Sequence, residues 1–205
     1  LGYFLSGIVA LYFIFVRWKY HLCKPSFHAI IFAIKDSVDV FINTLMPNLY
    51  NNFSVLLLGF LGGDVANGIF YAGRKFGQVA YTVLNTITNV FFPYLSRKIE
   101  YHSLYAKLNL GISSLGSLFL FILAPWLVKA FFGEGYDEAI TVLRITAFAL
   151  LFTNMDSVYG QNYLIVLHHE KLLRNLTIVA SLCGFVIAFP LICYFSYIGA
   201  SITYL

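Results

Sequence analysis

The chain has 205 residues, of which 60% are hydrophobic and 11% charged, and its mean hydropathy is +0.80. A soluble domain carries about 25% charged residues, so this composition excludes a water-facing surface over most of the chain and makes lipid its solvent. The net charge of +4 would suggest nucleic acid in a soluble protein; here the basic residues sit in short gaps between apolar runs, which is loop topology, and no nucleic-acid partner is implied.

The first apolar run, 1–16, has no basic n-region and no cleavage site, so it reads as the end of a span and not as a signal peptide. Leu1 is not a methionine, and the chain stops inside another apolar run at 202–205, so a piece of a longer protein is expected. A gap over 17–33 holds Arg17, Lys19 and Lys24, with Pro25 as a breaker. The second run is 38–61, closed by Gly62-Gly63, and Asp64 is placed to N-cap the third. That third run, 65–95, is longer than a bilayer needs, so its first turns stand in the interface or the helix tilts.

Arg97, Lys98 and Glu100 separate it from the fourth run, 104–132. An acidic gap, 133–138, leads to the fifth run, 139–167, which His168-His169-Glu170-Lys171 ends. The sixth run is 172–194, and a seventh begins near Ile198. Pro125 and Pro190 are expected to kink or end their helices. Every run exceeds a typical strand and none alternates with period two, which predicts helices and not a barrel. The expected fold is an all-α polytopic transmembrane helix bundle with about six spans and the start of a seventh. It is a single transmembrane region over 1–205 without a soluble domain.

The gaps alternate in charge. Arg17, Lys19, Lys24 and Lys35 mark the first, Arg97, Lys98 and Lys107 the third, and Lys171 and Arg174 the fifth. The gaps around Gly63-Asp64 and Ser196-Tyr197 contain no Lys or Arg, and the one between them is acidic. All basic gaps fall on one side, which the positive-inside rule makes cytoplasmic. Cys23, Cys183 and Cys193 show no CxxC spacing, so neither a disulfide nor a metal site is expected.

On a helical wheel at ~100° per residue, the second and third runs each carry a polar line. Asp36, Asp39, Asn43, Pro47, Tyr50, Asn51 and Ser54 form one. Asn67, Tyr71, Arg74, Gln78, Tyr81, Asn85, Thr88 and Asn89 form the other. Such a line cannot face lipid, because each unsatisfied polar group in hydrocarbon is expensive. It is an interhelical hydrogen-bond seam or the wall of a water-filled cavity. The ionisable groups and the consecutive order of the two helices favour the cavity.

Arg74 lies ~15 Å along its helix, at a depth where a charge must be solvated or paired. An internal ion pair and snorkelling to the interface compete with recognition of an anion, for which the planar guanidinium is suited by its bidentate fork. Asp39 follows Lys35 by one turn, so an ordinary i,i+4 pair is its simple reading, and ion coupling the functional one. Asp156 lies mid-run beside Asn154, Gln161 and Asn162, where it could titrate in ion coupling or cap a seam. No Gly-rich phosphate loop, HExxH or paired-carboxylate motif appears, so neither an enzyme nor a cofactor is expected.

The stretch from Met46-Pro47-Asn48-Leu49-Tyr50 through Leu58-Gly59-Phe60-Leu61-Gly62-Gly63 to Asn67-Gly68-Ile69-Phe70-Tyr71-Ala72-Gly73-Arg74-Lys75 resembles a block of the bacterial polysaccharide-repeat (O-antigen/capsule, Wzx-type) flippases. These belong to the multidrug/oligosaccharidyl-lipid/polysaccharide exporter (MOP) superfamily. Phe92-Pro93-Tyr94-Leu95-Ser96-Arg97 and Phe132-Gly133-Glu134-Gly135-Tyr136-Asp137-Glu138-Ala139, with Leu143-Arg144-Ile145, resemble two later pieces in the same order. Asn67 before Gly68, and Phe70 with tyrosine only at Tyr71, depart from the pattern.

The resemblance implies a MATE-like transporter of two bundles, of which this chain covers about the sixth helix to the start of the twelfth. It also implies a flippase in the bacterial cytoplasmic (inner) membrane that translocates undecaprenyl-diphosphate-linked oligosaccharide repeats by alternating access. Its partners would be the lipid-linked oligosaccharide, membrane lipids and other polysaccharide-assembly proteins. On that reading Arg74 attracts the diphosphate or an acidic sugar. Asn43, Asn51, Gln78, Asn85 and Asn89 hydrogen-bond sugar hydroxyls, and Tyr71 and Tyr81 stack on sugar rings. A drug or cation exporter of the same superfamily predicts an acidic cavity. A membrane polysaccharide polymerase or glycosyltransferase predicts a large catalytic loop, which no gap here is long enough to be.

Overall fold

A computed structural model describes residues 2–17 and 26–205. The chain divides into two compact units, Leu1–Val38 and Asp39–Leu205. Among the described residues every regular element is helical. Cys23 and Pro25, with Lys19 and Lys24, lie outside them.

In the first unit, α1 (Gly2–Tyr12) continues as a π-helical turn over Phe13–Arg17. The next helix begins at Phe27, inside the segment read from hydropathy as a gap. Its start is an N-cap: the Ser26 hydroxyl oxygen accepts the Ala29 amide at 3.2 Å. Residues 27–34 are apolar except His28, and Lys35-Asp36 then interrupt the run, so hydropathy separates these turns from the span although the helix continues through them.

Phe27–Leu95 is helical except at Gly63, whose φ of 75° and ψ of −178° are open only to glycine. We call the arms α2 (27–62) and α3 (64–95). Each is longer than the roughly 20 residues that cross a bilayer. The chain reverses here. A Cβ on Gly59 would lie 2.8 Å from Nδ2 of Asn67, two turns further on, whereas a straight helix would hold the two about 12 Å apart. Gly63 is thus the non-helical residue at the start of α3, and Asp64 falls one place inside, not at the N-cap expected of it. Its carboxylate still sits in the first turn, where the helix end is positive.

A 3₁₀ turn, Ile99–Tyr101, leads into α4 (His102–Phe132). Next comes α5 (Asp137–Met155), which widens into a π-helix over Asp156–Ile165. The last element, Glu170–Thr203, breaks at Ser196 (φ 50°, ψ −124°) into α6 (170–195) and α7 (197–203), close to the start expected near Ile198. The backbone stays helical at Pro125 and Pro190; the breaks fall at Gly63 and Ser196 instead. Four helical elements among the described residues are long and apolar enough to cross a membrane: Phe27–Leu95, Ile99–Phe132, Asp137–Ile165 and Glu170–Thr203. Large apolar side chains such as Leu115 and Val186 stay exposed on them, at 70% and 76%, as lipid-facing positions do.

Small side chains make the core. Ala66, Ala72, Ala124, Ala139, Ala188 and Ala200 pack with Leu58, Phe70 and Ile192. Helices in lipid have no hydrophobic drive toward each other and gain from close backbone approach. Gly73 shows this directly: a Cβ there would lie 2.6 Å from Val142 Cβ and 2.7 Å from the Ala139 carbonyl oxygen. The gaps free of basic residues meet, since a Cβ on Gly62 would lie 2.8 Å from Ser196 Oγ. Elements flanking the basic gaps meet likewise, Asp39 with Arg174 and His102 with Val158.

Candidate functional site

The polar line of α2 turns toward α6 and α7. Asp39 makes an ion pair with Arg174, 135 positions away, where the sequence suggested Lys35. No local pattern links residues so far apart, so Arg174 registered only as a topological charge. The Tyr50 hydroxyl donates to the Thr203 carbonyl oxygen, and its ring meets Phe185 edge-on at 5.5 Å. Gly184 leaves room for that ring, since a Cβ there would lie 2.9 Å from it. Buried Ser54 donates back to the Tyr50 carbonyl at 3.0 Å. At Asp39 and Tyr50 the line is therefore a seam, not an open wall. Asn43 differs: its side-chain nitrogen and oxygen are buried and have no hydrogen-bond partner. Asn51 is half-buried in the next turns.

The line of α3 divides in two. Near the hinge, the Arg74 guanidinium carbon lies 4.0 Å from the centroid of the Tyr204 ring and 5.7 Å from that of Phe70. Its Nε is buried without a partner, and the ion pairs found among the described residues do not include it. A neighbouring carboxylate, the simplest way to bury an arginine, is thus replaced by two aromatic rings. Tyr204 directly follows α7, the segment that Tyr50 also holds. A Cβ on Gly199 would overlap the Leu191 carbonyl oxygen, so α7 can turn back tightly after Ser196. This bend places Thr203 at α2 and Tyr204 at Arg74. Nothing in the local sequence marks Tyr204 as a partner of Arg74.

The other residues of this line have different surroundings. Tyr71 is 51% exposed, and Asn89 is exposed. Gln78 and Asn85 are half-buried. Tyr81 is half-buried and packs against the apolar cluster of Leu84, Leu120, Ala147 and Leu150.

Thr88 belongs to a buried network between α3, α4 and α5. The Tyr105 hydroxyl donates to Thr88 Oγ1 at 3.3 Å and accepts from Asn109 Nδ2 and Asn162 Nδ2, both at 2.8 Å. Asn154 Nδ2 donates to Asn109 Oδ1 at 3.0 Å, and Asn162 Nδ2 also reaches the Thr88 carbonyl at 3.2 Å. Burial forces this pairing, because an unmade hydrogen bond costs more than a made one gains. Asp156 does not join the network. It opens the π-helical segment as an exposed residue, and its carboxylate lies beside Gly160. Cys183 and Cys193 are free thiols, and among the described residues no three His, Cys, Asp or Glu come together as metal ligands.

Residues 1–99 match the family model described as "Polysaccharide biosynthesis protein". The chain is 30% identical over 208 residues, 98% of its length and 50% of the relative's, to the "Putative O-antigen transporter" of Escherichia coli (strain K12). It is 28% identical over 216 residues, 100% of its length and 53% of the relative's, to the protein of the same name from Shigella dysenteriae. The chain thus spans about half the length of the curated relatives it matches. No solved structure matches it. It is a multi-pass helical protein of a bacterial inner membrane, related to these proteins at the level of sequence family.

Proposed function

We propose that this chain is part of a flippase that carries undecaprenyl-diphosphate-linked oligosaccharide repeats across the inner membrane by alternating access. In this reading the arms on either side of Gly63 and Ser196 count separately. That makes about six spans plus α7 as the beginning of another, within a two-bundle transporter of the exporter superfamily named above. The names of the two relatives support a transporter and not an enzyme.

The observation that carries the proposal is Arg74. A cation at membrane depth with a buried, unpartnered Nε and aromatic rings where a counter-ion would be is a site awaiting an anion. Diphosphate suits it, because guanidinium binds phosphate oxygens in pairs. Tyr204 covers it and Tyr50 holds the segment that positions Tyr204. Asn43, with both polar atoms unpaired, then Asn51, Gln78 and Asn85 are the groups left over for sugar hydroxyls. Asn89 and Tyr71 would act at the more exposed margin. Asp39, held by Arg174, and Asp156 are the candidates for ion coupling. Among the described residues no carboxylate pairs with Arg74, which sets the site apart from one built for cationic drugs.

The test is Arg74→Ala and Arg74→Lys in the full-length protein, scored for surface polysaccharide at matched expression. Loss in the alanine variant with partial recovery in the lysine variant is expected. Full activity in both would remove Arg74 from the mechanism.

A further inference from the structure

A second feature lies apart from Arg74. A cleft of about 530 Å³ opens where α4 begins, lined among others by Glu100, Ser103, Lys107, Leu110, Tyr159 and Tyr163. This volume is in the range of small-molecule sites. Its wall is tied in place: buried His102 bonds through Nε2 to the Val158 carbonyl at 3.0 Å, and its ring lies 4.7 Å from that of Tyr163 and 5.7 Å from that of Tyr159. The imidazole thereby joins α4 to the π-helical part of α5 and fixes both tyrosines.

The lining is graded along α4. Glu100 stands in the turn before the helix, Lys107 lies ~7.5 Å of helix beyond His102, and Leu110 lies almost one turn deeper. From the basic gap inward, the order is carboxylate, ammonium, apolar side chain, with Ser103 and the tyrosines beside them. A phospholipid with an amino headgroup has the complementary order, with its ammonium outermost, the phosphodiester next and the acyl chains innermost. Tyrosines at this level are common membrane-interface residues.

We infer that this cleft binds an aminophospholipid of the leaflet that the basic gaps face. Glu100 takes the ammonium, Lys107 and Ser103 take the phosphodiester, and the side chain of Leu110 meets the start of an acyl chain. Glu100 disfavours a headgroup that is anionic only, and it disfavours a diphosphate still more. The inference stands on the cleft alone and does not need the flippase reading.

The experiment is native mass spectrometry of the purified full-length protein in detergent, supplied with phosphatidylethanolamine and phosphatidylglycerol in equal amounts. The wild type is expected to retain phosphatidylethanolamine preferentially. Lys107→Ala should weaken that retention about tenfold, the loss of one charge-assisted hydrogen bond. Glu100→Gln should remove the preference between the two lipids. Lys98→Ala should change neither, since its ammonium lies 5.8 Å from the Tyr101 ring and outside the cleft. Equal retention of both lipids by the wild type, or unchanged retention in Lys107→Ala, would overturn the inference. The wild-type preference needs no variant, so a misfolded variant does not rescue the idea.

Discussion

The close approach of α3 and α5 makes a sharp prediction at Gly73. Alanine is the better helix former by about 1 kcal/mol, so on an isolated helix Gly73→Ala would stabilise. In the folded chain the new methyl would lie 2.6 Å from both Cβ and Cγ1 of Val142 and 2.7 Å from the Ala139 carbonyl oxygen. Ordinary contacts lie at about 3.5–4.0 Å, so α3 and α5 must separate by roughly an ångström. Neither obstacle is the loose end of a long side chain. Val142 Cβ rides on the backbone, and the Ala139 carbonyl belongs to the first turn of α5. Overpacking of this kind costs about 1–3 kcal/mol, which outweighs the propensity gain. Net destabilisation of up to about 2 kcal/mol follows, visible as a lowered melting point in detergent.

The overlap couples Gly73 to Val142. Val142→Ala alone opens a small cavity and costs about 1 kcal/mol. In the Gly73→Ala background it removes Cγ1 from the overlap, so the double variant should be more stable than the sum of the singles predicts. Recovery stays partial, because the Ala139 carbonyl and the Cβ remain. A Gly73→Ala protein that melts at or above the wild-type temperature would refute the close approach of α3 and α5. So would simple additivity with Val142→Ala.

Gly63 is the complementary case, since nothing lies within 4 Å of a Cβ built there. Gly63→Ala should still cost about 1–3 kcal/mol through its dihedrals alone, measured in the same melting experiment, and no second-site truncation should relieve it. Asp39 and Arg174 should behave as a unit. Asp39→Asn and Arg174→Gln each destabilise, while the double variant loses less than their sum, a coupling of about 1 kcal/mol or more in a double-mutant cycle. Asn162→Leu removes two donated hydrogen bonds from the Thr88–Tyr105 network and should cost roughly 0.5–2 kcal/mol, read as a lower melting point.

Much of the helical layout was legible because hydropathy and glycine act locally. Gly62-Gly63 announced the hinge, and the end of α3 at Leu95 and of α4 at Phe132 fell where charge or glycine interrupts the apolar run. The start of α2 at Phe27 was not legible, since Lys35 and Asp36 interrupt the apolar stretch and detach its first turns from the span. The break at Ser196 was placed only by its loss of hydropathy; a positive φ in a serine has no sequence signal. The partners of the polar residues were least legible. Each of Asn109, Asn154 and Asn162 is unremarkable by itself, and only tertiary packing gathers them around Tyr105.

That gathering changes what a polar line inside a membrane means. Periodicity alone shows that a helix face avoids lipid, and both lines satisfied it. The structure then resolves the lines residue by residue. Asp39, Tyr50, Ser54 and Thr88 have partners on other helices or on the backbone, so they account for cohesion and say nothing of transport. Asn43, Asn67 and Arg74 each have a buried side-chain polar atom left unpaired. In hydrocarbon such an atom costs several kcal/mol, and the network around Thr88 itself leaves Oδ1 of Asn154 and of Asn162 unpaired, so an unpaired amide is a weaker sign than an unpaired charge. The case for a carried substrate therefore rests on the unsatisfied positions within the lines. Arg74 is the strongest of the three, because even a half-buried charge demands a counter-ion more strongly than an amide demands a hydrogen bond.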